Sequence, residues 1–183
     1  MRYKEHIDYK KRMEELEIPM IGEVKKGLFE GGDFMFMNEN WVAVGMADRT
    51  DEAGLTELKS ILEPLGYEVT GVPLKREYLH LDMCLNLVDE HLAVSYKKGL
   101  PDDFRKMLTK HDIEVIEVDE DAIFQHGCNL QSLGEHRVMS LKRNEAVNEK
   151  LAAKGMEVIE LNITEILKAG GGPHCMTFPI LRG

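Results

Sequence analysis

The sequence predicts an α/β fold assembled from repeated β-β-α-β units, three of them complete and others partial, within a single domain over residues 1–183. Three observations predict it. Four segments share a short amphipathic helix, a break and a strand rich in Ile and Val. They are KKRMEELEIPMIGEV (Lys10 to Val24), ELKSILEPLGYEVTGV (Glu57 to Val72), DFRKMLTKHDIEVIEV (Asp103 to Val118) and NEKLAAKGMEVIEL (Asn148 to Leu161). Val69, Val115 and Val158 fall at matching points, 46 and 43 residues apart, within the period that marks repeat architectures. Ahead of the last three helices, GGDFMFMNENWVAVG, LHLDMCLNLVDEHLAVS and GCNLQSLGEHRVMS each read as two short strands about a polar turn.

In chain order, the protein opens with the αβ half of a unit. The first complete unit turns at Asn38-Glu39-Asn40 and returns through Trp41 to Val44. Thr50 caps its helix, with Asp51 and Glu52 at the positive end, and Pro64 and Gly66 stop it. The second turns at Asp89-Glu90 and returns through Leu92 to Val94, and Pro101 with Asp102 and Asp103 suits the first turn of its helix. The third turns at Gly134-Glu135 and returns through Val138 and Met139, and a lone strand from Met176 to Leu181 closes the chain. No linker or low-complexity tract divides these elements.

With 43% hydrophobic and 31% charged residues the composition is that of an ordinary globular protein. No apolar run approaches the roughly 18 residues of a membrane helix, and the N-terminal MRYKEHIDYKK lacks the apolar core of a secretory signal. A net charge of -10 argues against a nucleic-acid surface and is compatible with a small cationic substrate. Cys84, Cys128 and Cys175 are widely spaced and form no CxxC pair. Neither a disulfide framework nor a zinc ribbon is indicated, and a cytoplasmic location without membrane or nucleic-acid partners is expected.

Functional candidates gather where the first strand of each unit begins: Glu30-Gly31-Gly32-Asp33, His80-Leu81-Asp82, Gly127-Cys128-Asn129 and Gly172-Pro173-His174-Cys175. Units around a common axis would bring these starts to one end and into one pocket. His80 and Asp82, two apart on a strand, would point to one face and suit acid-base work, although a solvated strand edge uses the same residues. Two glycines after Glu30 permit close backbone approach to a ligand, or a plain turn. Asp33 also reads as a strand-start residue. Cys175 follows three glycines and a proline, where a reactive thiol of lowered pKa, stabilised by His80 and His174, can stand. An ordinary turn before a terminal strand is the alternative. Cys84 reads as core, and Cys128 as structure, though a loop Cys beside Asn129 can line the same pocket. His80, Asp82, His174 and Cys175 would also serve a zinc ion, a reading with less support because the residues are explained without metal.

The order EGGD, Arg49-Thr50 after a strand, HLD and GGGPHCMTFP resembles the guanidino-group-modifying superfamily of arginine deiminase, dimethylarginine dimethylaminohydrolase and the amidinotransferases. Within it the chain most resembles dimethylarginine dimethylaminohydrolase-like proteins. The resemblance implies a pentein-type α/β propeller, here incomplete, and a hydrolase that cleaves a C-N bond of a guanidino compound through a covalent thiouronium. It implies Cys175 as nucleophile, His80 as general acid and base, Glu30 as the carboxylate orienting the imidazole, and Asp82 as a carboxylate gripping the guanidinium. It also implies Arg49 near a substrate carboxylate, where a helix-start ion pair with Asp48 or Asp51 is the alternative. Asp33 is a further candidate on the substrate side, and no metal or cofactor is expected. An amidinotransferase, or a non-catalytic relative that forms oligomers, are the alternatives. Five units of about 45 residues need more than about 200, and the resemblance lacks its N-terminal module with a Phe-x-Arg-Asp stretch. A homo-oligomer, or a partner chain supplying that module, is therefore expected.

Overall fold

A computed structural model describes residues 5–179. After α1 (Glu5–Glu15), the first unit comprises β1 (Phe34–Phe36), β2 (Trp41–Met46), α2 (Glu52–Leu62) and β3 (Glu68–Pro73). The second comprises β4 (Leu85–Asp89), β5 (Leu92–Ser95), α3 (Asp102–Lys110) and β6 (Glu114–Glu117). Short α4 (Glu120–Phe124) leads to the third unit, β7 (Gln131–Gly134), β8 (Arg137–Leu141), α5 (Glu145–Ala153) and β9 (Glu157–Leu161), and α6 (Thr164–Leu167) follows. Each sheet has the same order, with an antiparallel hairpin followed by a parallel strand reached across the helix.

The repeat holds residue by residue. Val69, Val115 and Val158 are each the second residue of a strand and pair with Val42, Ala93 and Val138, each again the second of its own. Just before them, the N–H groups of Glu68, Glu114 and Glu157 donate to the carbonyls of Asn40, His91 and His136 at 2.7, 2.8 and 2.8 Å. The parallel strand is thus anchored in every unit at the hairpin turn.

Strand β2 is buried along both faces, because the first unit packs on two sides. Val42 and Val44 meet Leu55, Leu58 and Leu62 of α2, while Trp41 and Ala43 join a core that runs through Leu85, Val94, Leu130, Val138 and Leu151 of the other units. Trp41 forms the joint to the second unit. Its ring lies 5.9 Å from Phe104 and stacks 4.5 Å from His111 at the end of α3, and its indole N–H donates to Thr70. The opening strands face one another, with β4 between β1 and β7, so the polar segments that precede them lie at one end of the molecule.

Several expectations change. Residues 18–24 carry no strand pairing, since a strand exists only where a neighbour accepts its hydrogen bonds. The cap of α2 is Asp51, which accepts from Gly54 N at 2.8 Å; Thr50 is fully buried and turned to Asp33. Pro101 precedes α3 as its N-cap. Met176 lies in a turn and residues 177–179 in no strand, while the rest of the expected closing strand falls outside the described residues. Among the described residues no helix is long and apolar enough to cross a membrane.

Candidate active site

Glu30 reaches the site on a loop pressed onto the start of α2. Glu57 Oε2 accepts from the N–H groups of Lys25, Lys26 and Gly27 at 2.9, 2.7 and 3.1 Å, and Asp51 Oδ1 from Leu28 at 3.0 Å. The approach demands glycine, because a Cβ on Gly27 would fall 1.9 Å from Gly54 N. Glu30 then places Oε2 2.8 Å from His80 Nε2 and accepts on Oε1 from Arg49 Nη1 at 2.9 Å. One carboxylate therefore holds the imidazole from one side and a guanidinium from the other. Gly32 lets the turn lie against the ring, since a Cβ there would sit 2.7 Å from His80 Cγ.

Asp33 ends this 3-10 turn with no exposed surface. Its Oδ2 accepts from the Thr50 hydroxyl at 2.6 Å and its Oδ1 from Leu81 N at 3.0 Å. Burial pushes its carboxyl above the ordinary range, against the opposing effects of the Thr50 bond and the nearby His80. One oxygen is spent within the first unit and the other on tying that unit to the second. The geometry departs here from the expectation of a substrate-side residue.

His80 precedes the second 3-10 turn, Leu81–Met83. The expectation of a strand with His80 and Asp82 on one face is corrected: residues in such a turn lie about 120° apart around the axis. His80 looks to Glu30, whereas Asp82 looks toward the third unit. Asp82 is 1% exposed. Its Oδ2 collects three partners, Asn129 Nδ2 at 2.9 Å, His174 Nδ1 at 3.0 Å and Cys175 Sγ at 3.4 Å. Its Oδ1 is buried and has no partner.

Cys175 sits in the turn that follows Gly172-Pro173. The residue is exposed, yet its sulfur is directed inward onto Asn129 Nδ2, 3.0 Å away, and Asp82. Burial of the sulfur, and next the Asp82 charge, push the thiol up to about 11, partly offset by bonds from the Gly172 backbone and Asn129. The expected lowered pKa does not hold, because the sulfur is buried and the nearest charge is negative. Cys84 and Cys128 are fully buried, as expected of core thiols, and burial pushes Cys84 up to about 12 and Cys128 higher still. Cys175 is the accessible thiol of the three.

The residues thus fall into two groups, Glu30, Arg49 and His80 on one side and Asp82, Asn129, His174 and Cys175 on the other, joined through the short turn between His80 and Asp82. Arg49, expected near a substrate carboxylate, is engaged by Glu30, with its side chain 45% exposed. Among the described residues no group of three or more His, Cys, Asp and Glu side chains is arranged to hold a metal ion. Asn129 is the residue that sequence reasoning undervalued. Its position at the start of the third unit, where the other units carry Asp33 and Asp82, was the available signal. Surface clefts of about 300 Å³ beside Lys75 and Lys98 and about 500 Å³ beside Glu39 and His111 contain none of these residues.

Comparison with known proteins follows the same line. A family model described as N,N dimethylarginine dimethylhydrolase, eukaryotic, matches residues 4–182. The chain is 36% identical over 154 residues to YkgA of Bacillus subtilis, covering 84% of this chain and 52% of that protein. It is 27% identical to an arginine deiminase of Listeria welshimeri, covering 93% of this chain and 52% of that one. Among solved structures, the N-terminal domain of ArgZ, a cyanobacterial arginine dihydrolase, superposes with a TM-score of 0.79 at 25% identity, over 95% of this chain and 64% of the other. A dimethylarginine dimethylaminohydrolase of Pseudomonas aeruginosa, at 24% identity, shares the fold with a TM-score of 0.78, over 93% and 64%. The chain spans about half the length of the curated relatives it matches. Its three sheets of one topology and its match over nearly every residue place it, with a pentein-type α/β propeller fold, in the N,N-dimethylarginine dimethylhydrolase family.

Proposed function

We propose that this chain carries the nucleophile-bearing part of a hydrolase that cleaves a C–N bond of a guanidino compound. The observation that carries the reading is the unpartnered Oδ1 of Asp82, a carboxylate 1% exposed whose other oxygen lies 3.4 Å from the Cys175 sulfur. A buried carboxylate oxygen without a donor is unfavourable by itself. A guanidinium offers planar N–H donors and a positive charge, satisfying both needs and setting its central carbon beside the sulfur.

The chemistry follows from these positions. As Sγ attacks the central carbon, its proton passes to a base, and His80, held by Glu30, is the titratable group suited to relay it to the departing nitrogen. The S–C bond forms, the C–N bond breaks, and a protonated amine leaves a thiouronium on Cys175. Water then adds with His80 as base, the S–C bond breaks, and a ureido product is released. Arg49 holds Glu30 in place. A second carboxylate facing Asp82 would complete the grip. Among the described residues Asp82 is the one carboxylate with a buried free oxygen, so a second copy or a partner chain is the proposed source. The net charge of -10 suits attraction of the cationic substrate.

The test is a screen of arginine and its N-methylated derivatives for ureido product, with intact-mass detection of a thiouronium on acid quench. The expected result is turnover and a mass increment on Cys175. Absence of both for every guanidino compound, with and without added partner protein, would overturn the reading.

A further inference from the structure

Asn129 is 4% exposed and bridges three segments distant in sequence. Its Oδ1 accepts from the Cys175 N–H at 3.3 Å. That bond settles which end of the amide is which, since a flipped side chain would set N–H against N–H. Nδ2 is therefore turned to Asp82 Oδ2 at 2.9 Å and Cys175 Sγ at 3.0 Å, using both of its hydrogens. The amide has no room to swing, because Gly172 packs so closely that a Cβ there would fall 2.7 Å from Asn129 Oδ1.

We infer that Asn129 is a positioning residue for the nucleophile: its amide holds the Cys175 backbone by the oxygen and directs an N–H at the sulfur by the nitrogen. The inference rests on the reading of Cys175 as nucleophile. An N–H aimed at Sγ favours the ionised sulfur over the thiol. It opposes the neighbouring Asp82, the charged group that raises the thiol pKa, and is aided by the Gly172 backbone. By occupying Asp82 Oδ2, the same amide leaves Oδ1 as the oxygen open to a ligand.

The two ends of the amide can be tested apart. Asn129→Asp has nearly the same shape and keeps an oxygen for the Cys175 N–H, but it sets an oxygen where the donor faced the sulfur. Asn129→Ala removes both ends. The readout is the pH profile of Cys175 alkylation by iodoacetamide, followed by intact mass on the full chain. Both variants should alkylate about tenfold more slowly at pH 9, with the inflection moved to higher pH. Asn129→Ser, whose hydroxyl can still donate, should fall between them and the parent. The new charge of Asn129→Asp raises a neighbouring thiol by itself, so the uncharged variants decide: a role confined to holding the turn would leave folded Asn129→Ala and Asn129→Ser on the parent profile, and that outcome would overturn the inference. Should Asn129→Ala fail to fold, Asn129→Ser decides the question. Shifted profiles in a protein that turns over no guanidino compound would sink the proposed function and leave this assignment standing. Turnover with unshifted profiles would do the reverse.

Discussion

Asp33 and Asp82 occupy corresponding places in successive units, each buried in a 3-10 turn before the opening strand. Asp33 divides its oxygens between Thr50 and Leu81, so both are satisfied from within the chain. Asp82 crowds three donors onto one oxygen and leaves the other without any. The difference teaches that burial of a carboxylate does not identify a binding group. What identifies one is an acceptor that the fold declines to satisfy.

The largest expected effect separates the two residues by activity. Asp82→Asn should lower kcat/KM for a guanidino substrate by about a hundredfold or more, the loss of a charge-assisted contact in a desolvated site. The folded chain should persist in the variant, as judged by circular dichroism. Asp33→Ala should act on stability, because it orphans a buried hydroxyl and a buried N–H. A loss of about 2 kcal/mol in urea denaturation is expected. If Asp33→Ala were fully stable and Asp82→Asn unfolded, the assignments would be reversed.

The next effect is on the thiol. With burial, and next the Asp82 charge, holding the thiol up to about 11, Cys175 should alkylate ever faster as pH rises through 9 and 10. Asp82→Asn removes that charge and should speed alkylation at pH 8 about tenfold, equivalent to about one pH unit. Asp33→Asn should leave the rate where it is. Equal acceleration in both variants would mean that the sulfur responds to the general field rather than to its neighbour.

The smallest effect is the pH dependence of stability contributed by Asp33. Its folded-state pKa is raised above the ordinary 3.8, so its favourable contribution is full below that value and is lost as pH rises through the folded one. Asp33→Asn can keep both bonds by turning its amide N–H to Thr50, and it does not ionise. The melting temperature of the parent relative to Asp33→Asn should therefore fall as pH climbs from below 3.8 toward neutrality. A parent that gained on the variant over that range would contradict the sign.

The sheets were legible in the sequence because their signal is periodic and repeated, and Val69, Val115 and Val158 took the same register in three strands. The turns at the strand starts were not, since three residues carry no period. The direction in which Asp82 points is decided by Asn129 and Cys175, 47 and 93 positions away. Thr50 and Asp51 are both good caps, and the choice between them was made by Asp33, a buried acceptor that needed a hydroxyl. The strand expected within residues 18–24 had the composition for pairing, but composition does not supply a neighbour.

The seams between the units run through the same polar groups as the chemistry. Asp33 stitches the first unit to Leu81, Asp82 stitches the second to Asn129, and Asn129 stitches the third to Cys175. A substitution that retunes the reaction therefore also loosens a joint. Drift at these positions is constrained twice, whereas the exposed helix faces and the hairpin tips at the far end are free to diverge. A lineage that abandoned the reaction would still be expected to keep Asp33, Asp82 and Asn129 longer than Glu30 or Arg49, whose contacts with the rest of the chain are the more exposed.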